Sequence, residues 1–338
     1  MPSLRHSSYN EPGYTRRRRG TGWSYLDHRG RVVREPRLRE RFEALAIPPA
    51  WTGVWICRSS RGHLQATGHD AAGRRQYIYH PTWREERERE KYERILRFAE
   101  ALPALRGEVD AQLRRRTPDR DYALAAAVDL LDRTHMRVGS ERYAAENRTY
   151  GLATLRSRHV DVDGDTVRLQ FPGKGGADHD LQVESGALAR AVARMDALPG
   201  DEVLSYVGED GEAVDVRSAD INAWIKERMG DDFTAKDFRT WAGTVAAAVA
   251  LDEVGPVDGD AKRRRAVAQV CRIAAGLLGN TPAVCRASYI DPRVIDHYLD
   301  GRTISSLADR VEHELTDGHS AQELAVLALL RRGFDERA

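Results

Sequence analysis

Four short segments carry the side chains best suited to chemistry. Thr134–Gly139 puts Arg137 where a helix gives way to a turn, and Phe171–Gly176 puts Lys174 at the tip of a glycine-rich β-turn. Phe233–Gly243 sets Arg239 on a helix between aromatic residues, and Leu278–Tyr289 combines Asn280, a helix start at Thr281-Pro282 and Tyr289. Planar arginine forks suit phosphate oxygens, a lysine can surrender a proton within an accessible range, and a tyrosine offers an oxygen nucleophile. Taken singly, each has an ordinary reading. An arginine at a helix C-terminus caps the helix dipole, and a turn lysine is a solvated charge. The stem of Arg239 can pack on Phe238 or Trp241 as readily as its head can bind a ligand. A lone tyrosine two turns into a helix is usually a half-buried helix residue.

Other chemistries find little support. The chain has no GxxxxGK[ST] loop for nucleotide phosphates, no HExxH or clustered Asp/Glu/His set for a metal, and no GxSxG elbow. Cys57, Cys271 and Cys285 are odd in number and fit neither a CxxC pair nor a zinc framework, which points to a reducing cytoplasm. No apolar run is long enough for a membrane span, and the opening MPSLRHSSYN lacks the apolar stretch of a secretion signal. Net charge is +1, so bulk charge does not announce a nucleic-acid binder; yet all but five of the 53 basic residues are arginine. Their distribution matters more. Arg5 and Arg16 to Arg19 crowd the first twenty residues against a single Glu11, while acidic residues pair locally on helices, as Glu85/Arg89 and Glu90/Arg94 do.

The elements that must position these side chains follow from periodicity. With 338 residues, two domains are expected. Residues 1–20 are polar and aperiodic, expected as a disordered basic arm. Residues 21–82 read as a β-rich N-terminal domain: a hairpin through Trp23, Tyr25 and Val32, a strand over Trp51–Cys57, and a second hairpin from Leu64–Thr67 to Arg75–Tyr79. In the last strand, alternation puts Tyr77 and Tyr79 on one face and Gln76 and Ile78 on the other, beside Arg74 and Arg75. A helix over 82–106 leads into a mainly helical domain, 83–302, with helices at 119–136, 139–147, 186–196, 218–229, 235–251 and 261–278. Val160 to Phe171 and His179 to Val183 alternate as a three-stranded sheet around the Lys174 turn. Residues 303–338 form a C-terminal helical extension. The fold class is α+β.

In order along the chain, Arg…Lys…Arg…Asn…Tyr resembles the catalytic set of type IB DNA topoisomerases, specifically the compact bacterial, poxvirus-like branch. The segments that carry it are LAIPPAWTGVWIC (45–57), GHLQATGHDAAGRRQYIYHP (62–81), RVGSERYAAEN (137–147), FTAKDFRTWAGT (233–244) and LGNTPAVCRASY (278–289). The resemblance implies that Tyr289 is the nucleophile, that Arg137 and Arg239 hold the scissile phosphate, and that Lys174 is the general acid. It also implies DNA contacts by Gln76, Tyr77 and Tyr79 and a phosphate contact by Tyr143. Arg74 and Arg75 join that surface as basic residues interleaved with aromatics. Asn280 departs from the wider family, where histidine usually stands; an amide can donate to a phosphate oxygen but cannot ionise.

The implied activity is relaxation of supercoiled duplex DNA through a 3′-phosphotyrosyl intermediate, by a cytoplasmic, nucleoid-associated monomer closing as a clamp, without ATP, metal or other cofactor. Two alternatives use similar parts. A tyrosine recombinase has a related fold and set, but usually an HxxR box where this chain has Lys236-Asp-Phe-Arg239, and it assembles as a tetramer. A non-catalytic DNA-binding clamp would bind DNA in a salt-sensitive way without a covalent adduct.

Overall fold

A computed structural model describes residues 3–115, 117–307 and 318–335. The chain divides into two compact units between Tyr92 and Glu93.

The first unit is a five-stranded antiparallel sheet with one helix. Its elements are β1 (Tyr14–Arg19), β2 (Gly22–Leu26), α1 (Pro36–Ala44), β3 (Thr52–Ile56), β4 (Leu64–His69) and β5 (Arg75–Tyr79), in sheet order β2-β1-β3-β4-β5. A small core of Tyr25, Phe42, Ile47, Val54, Ile56 and Ala66 fills the space beneath α1, with the Phe42 ring 4.8 Å from Tyr14 and 5.0 Å from Tyr25. Between β4 and β5 the turn is set by Asp70, whose carboxylate accepts from the amides of Ala72 and Arg74 at 3.0 and 2.9 Å, with Gly73 at φ 73°. That turn fixes the register in which Tyr77 faces Thr67 and Gln76 faces Gly68.

Two expectations fail here. Residues 14–19, expected within a disordered arm, are a strand, because Arg16 is an inward-facing residue. Its guanidinium donates to the carbonyls of Ile47 (2.8 Å), Pro48 and Trp51 and lies 4.0 Å over the Trp23 ring. The hairpin expected through Val32 shrinks to one bridge, Leu26 to Val32, since β2 takes β1 as its ladder partner instead.

The second unit begins in α2 (Pro81–Leu113) and continues through α3 (Arg120–Thr134) and α4 (Glu141–Asn147) to the sheet β6 (Val160–Asp163), β7 (Thr166–Pro172) and β8 (Asp178–Glu184). Next come α5 (Gly186–Asp196), a short pair β9 (Ser205–Val207) and β10 (Ala213–Asp215), and α6 (Ser218–Met229). The chain closes with α7 (Ala235–Val254), α8 (Asp260–Leu278), α9 (Pro282–Ser288), α10 (Pro292–Leu299) and α11 (Ala321–Asp335). The central helix α3 is buried on nearly every side, from Tyr122 through Leu131, and its run of alanines lets neighbours approach closely. Asp119 caps it, accepting from the Tyr122 amide at 3.0 Å. The three-stranded sheet is antiparallel in order β6-β7-β8, with Val167, Leu169 and Phe171 turned inward. Among the described residues no helix is long and apolar enough to cross a membrane.

Candidate active site

Four helix ends meet around the residues singled out by type. Helix α3 stops at His135, whose φ of 53° reverses the chain so that Met136 is buried and Arg137 leaves the helix axis. The segment is pinned from behind: the Leu152 amide donates to the Arg137 carbonyl at 2.9 Å and the Ala153 amide to the Val138 carbonyl at 2.7 Å. Packing there is tight enough that a Cβ on Gly151 would lie 2.6 Å from the Arg137 carbonyl oxygen. Helix α8 stops at Gly279, φ 57°, and the next residue is Asn280.

Both arginines reach the carbonyl ends of these helices. Arg137 donates to the Gly279 carbonyl at 2.9 Å and to Oδ1 of Asn280. Arg239, on α7 and 5% exposed, donates to the Leu278 carbonyl at 2.7 Å and to the His135 carbonyl. Helix C-termini carry partial negative charge, so two like charges can stand side by side here with no acidic partner among the described residues. The cost is visible on Arg239, whose pKa is held below its ordinary value by burial first and by Arg137 second. The neighbouring Trp241 donates its indole N–H to Glu323 at 3.0 Å.

Tyr289 ends α9. That helix starts at Pro282, with Thr281 Oγ1 accepting from the Val284 amide at 3.4 Å. The half-buried Tyr289 ring lies beneath the Arg239 guanidinium, 5.3 Å from its centroid, with the Lys236 ammonium 6.0 Å away. Its backbone is fixed against α7: a Cβ on Gly243 would meet the Tyr289 carbonyl oxygen at 2.6 Å, and Thr244 Oγ1 donates to that oxygen at 3.4 Å. Four residues back, burial pushes the Cys285 thiol up to about 11, so it stays neutral.

Asn280 has a defined orientation. Arginine only donates, so the amide atom facing Arg137 is the oxygen. The nitrogen Nδ2 is then buried with no partner among the described residues. Lys174 sits at the exposed tip of the β7–β8 turn and makes no hydrogen bond or ion pair among the described residues. It lines a cavity of about 20 Å³ together with Arg137, Arg239, His135, His179 and Leu278, room for roughly one water. Tyr289, Arg137, Arg239 and Asn280 thus form one cluster, and Lys174 borders it.

Two nearby residues are read from the sequence without a place in the site. Lys236 stands one helical turn before Arg239 and is named only as the residue where a recombinase has histidine. His179 pairs in register with Phe171 across the Lys174 turn, and their rings stack at 5.0 Å.

In the first unit, Tyr77 and Tyr79 share a face of β5 with rings 6.0 Å apart and nearly parallel, while Ile78 packs on the small core from the opposite face. Tyr77 is 42% exposed. Arg74 and Gln76 both use side-chain donors on Asp70, at 2.9 Å each, and Arg75 lies 4.1 Å over the Tyr9 ring. The side chain of Tyr143 lies outside the described residues.

Comparison with known proteins gives a consistent picture. Residues 80–312 match the family described as eukaryotic DNA topoisomerase I, catalytic core, and residues 22–70 match the bacterial DNA topoisomerase IB N-terminal domain. DNA topoisomerase 1B of Acanthamoeba polyphaga mimivirus is 30% identical over 266 residues, covering 77% of this chain and 79% of that protein. DNA topoisomerase 1B of vaccinia virus (strain Copenhagen) is 21% identical over 236 residues, 69% of this chain and 72% of the relative. DNA topoisomerase 1 of Mycosarcoma maydis is 23% identical over 222 residues, 59% of this chain and 22% of the relative.

Proposed function

The chain belongs to the type IB DNA topoisomerases, and from that premise we propose how its own residues carry the reaction. The Tyr289 phenol oxygen attacks the scissile phosphorus and its proton leaves to water. The bond to the 5′-oxygen breaks, and Lys174 gives that oxygen a proton. Arg137 and Arg239 balance the charge that builds on the non-bridging oxygens, and Nδ2 of Asn280 donates to one of them. The observation that carries this reading is the convergence on Tyr289: Arg239 sits over its ring, and Arg137 and Asn280 join Arg239 through the end of α8.

The physical demand matches the parts. Attack on a phosphodiester gathers negative charge on the phosphate oxygens, and planar guanidinium forks are suited to accept it. Two fixed guanidiniums in a partly buried site need no reorganisation when charge develops. The phosphotyrosyl bond stores the energy of the broken phosphodiester, so resealing reverses the same steps without ATP. Relaxation is driven by superhelical strain while the free strand end rotates. Duplex DNA is the substrate, with the Tyr77–Tyr79 face, Arg75 and Tyr143 adding further contacts. The protein acts as a monomer on nucleoid DNA in the cytoplasm; three free, buried cysteines support the reducing compartment alone.

The decisive test is plasmid relaxation in EDTA without nucleotide, with intact protein beside Tyr289→Phe. The intact protein relaxes the plasmid and forms a covalent adduct on denaturation; the variant does neither. Relaxation retained by Tyr289→Phe would remove Tyr289 as nucleophile.

A further inference from the structure

The Lys174 turn is free at its tip and held at its base. Its backbone is closed by the Gly173 amide donating to the Ala177 carbonyl at 2.7 Å and the Gly176 amide to the Gly173 carbonyl at 3.0 Å. Neither bond ties the turn to the helices that hold the phosphate. The His179 ring does. A Cβ on Gly173 would lie 2.4 Å from both Cδ2 and Nε2 of His179, so the ring occupies the space a side chain there would need. A Cβ on Gly279 would lie 3.0 Å from His179 Cε1 and 3.8 Å from an Arg137 Nη atom. Phe171 stacks against the ring at 5.0 Å with an 18° tilt and fixes its plane. One rigid side chain therefore spans the gap between the glycine before Lys174 and the glycine whose carbonyl receives Arg137.

We infer that His179 is a positioning residue for Lys174, a spacer whose ring sets how far the Lys174 turn stands from the Arg137–Asn280 corner. The inference rests on Lys174 acting as the general acid. It assigns His179 a role through shape, since neither ring nitrogen has a hydrogen-bond partner among the described residues. Charge fits that role. Burial first, then Arg137 and Arg239, hold the imidazole below its ordinary range against a smaller opposing pull from Asp178. A neutral ring can sit beside two guanidiniums without adding a third cation.

The test uses the full chain and single-turnover cleavage of two duplexes, one with the ordinary 5′-oxygen and one with a 5′-bridging sulfur, a leaving group that needs no proton. His179→Ala slows cleavage at oxygen on the order of 10–100-fold, the loss expected from misplacing a reacting group by an ångström or so. Cleavage at sulfur stays close to that of the parent, which also shows that the variant is folded. His179→Phe, which keeps a ring, restores cleavage at oxygen. An equal loss on both duplexes, no loss on either, or failure of phenylalanine to restore the rate would each overturn the spacer role. Lys174→Ala run alongside separates the two ideas. If sulfur does not rescue it, the general-acid reading falls; if sulfur rescues Lys174→Ala but not His179→Ala, the spacer inference alone falls.

Discussion

Asn280 shows how one side chain can be both anchored and available. Its oxygen is committed to Arg137, and its nitrogen is buried without a partner among the described residues. Leaving a buried donor unpaired costs about 1–3 kcal/mol, a cost that disappears when a phosphate oxygen arrives to accept. Histidine, usual at this position in the wider family, could also exchange a proton; an amide cannot. Asn280→Ala should therefore lower the cleavage rate by on the order of 10²–10³, the typical loss for one donor to developing negative charge. The shape of the pH–rate profile should not move, because no titrating group has been lost. A shifted acidic or basic limb, measured by single-turnover cleavage across pH 5 to about 9, would mean that Asn280 supports a proton transfer through a neighbour.

At the scale of elements, the arginine pair depends on a helix that stands beyond the catalytic-core match, which ends at residue 312. Glu323 on α11 accepts from Arg106 through both oxygens at 2.9 Å, from the Trp241 indole at 3.0 Å and from the Ser320 amide at 2.8 Å. Arg106 in turn grips Asp132 at 2.7 and 3.1 Å, one turn before the His135 carbonyl that receives Arg239. Burial raises the Glu323 carboxyl, but bonds from Arg106, Ser320 and Trp241 outweigh it and bring it down to about 2 from an ordinary 4.5. A depressed carboxylate contributes stability above its unfolded pKa and loses it as pH falls through the folded one. Glu323→Gln should thus cost about 3 kcal/mol of unfolding free energy at pH 7. That gap should close between the ordinary 4.5 and about 2. Denaturant titrations at several pH values check it; a gap independent of pH would mean the carboxylate charge is not what holds α11. The local sequence marks Glu323 only as the partner of Ser320 in a capping box; its ties to Arg106, Trp241 and, through Arg106, Asp132 join residues distant along the chain. The same is true of His179 and Gly279. Helix α8 and the strands around Phe171 were readable because one-sided burial imposes a period on their apolar residues; α3 and α7, buried nearly all round, were readable as long alanine-rich runs of helix-forming residues. Helix α1 was not, with Leu38 and Phe42 the apolar positions in PRLRERFEA before its terminal alanine. The three-residue strands β9 and β10 are too short to show a period. The five residues proposed to act at the site are legible through the segments around them taken together, not from any one segment.

For the molecule as a whole, a net charge of +1 means that DNA affinity has to come from where the cations stand. The run Arg16 to Arg19 shows the difference position makes. Arg16 is spent on the fold, bonded to three carbonyls and stacked on Trp23. Arg17, Arg18 and Arg19 are exposed on β1, held in place by the ladder to Ser24, Trp23 and Gly22, and have no ion pair among the described residues. Ordered on a strand, they lose less freedom on meeting a phosphate backbone than the same residues would in a disordered arm. Each phosphate neutralised contributes about 0.9 to the slope of log affinity against log salt. Replacing Arg17, Arg18 and Arg19 together by alanine should therefore flatten that slope by up to about 3, with cleavage of DNA already bound left unchanged. Arg16→Ala should do the reverse, keeping the slope while lowering the thermal stability of the β-rich unit. Binding isotherms at four or five salt concentrations distinguish these outcomes. An unaltered slope in the triple variant would show that this edge of the sheet faces solvent even when DNA is bound, leaving the Tyr77–Tyr79 face and the arginines around Tyr289 to supply the affinity.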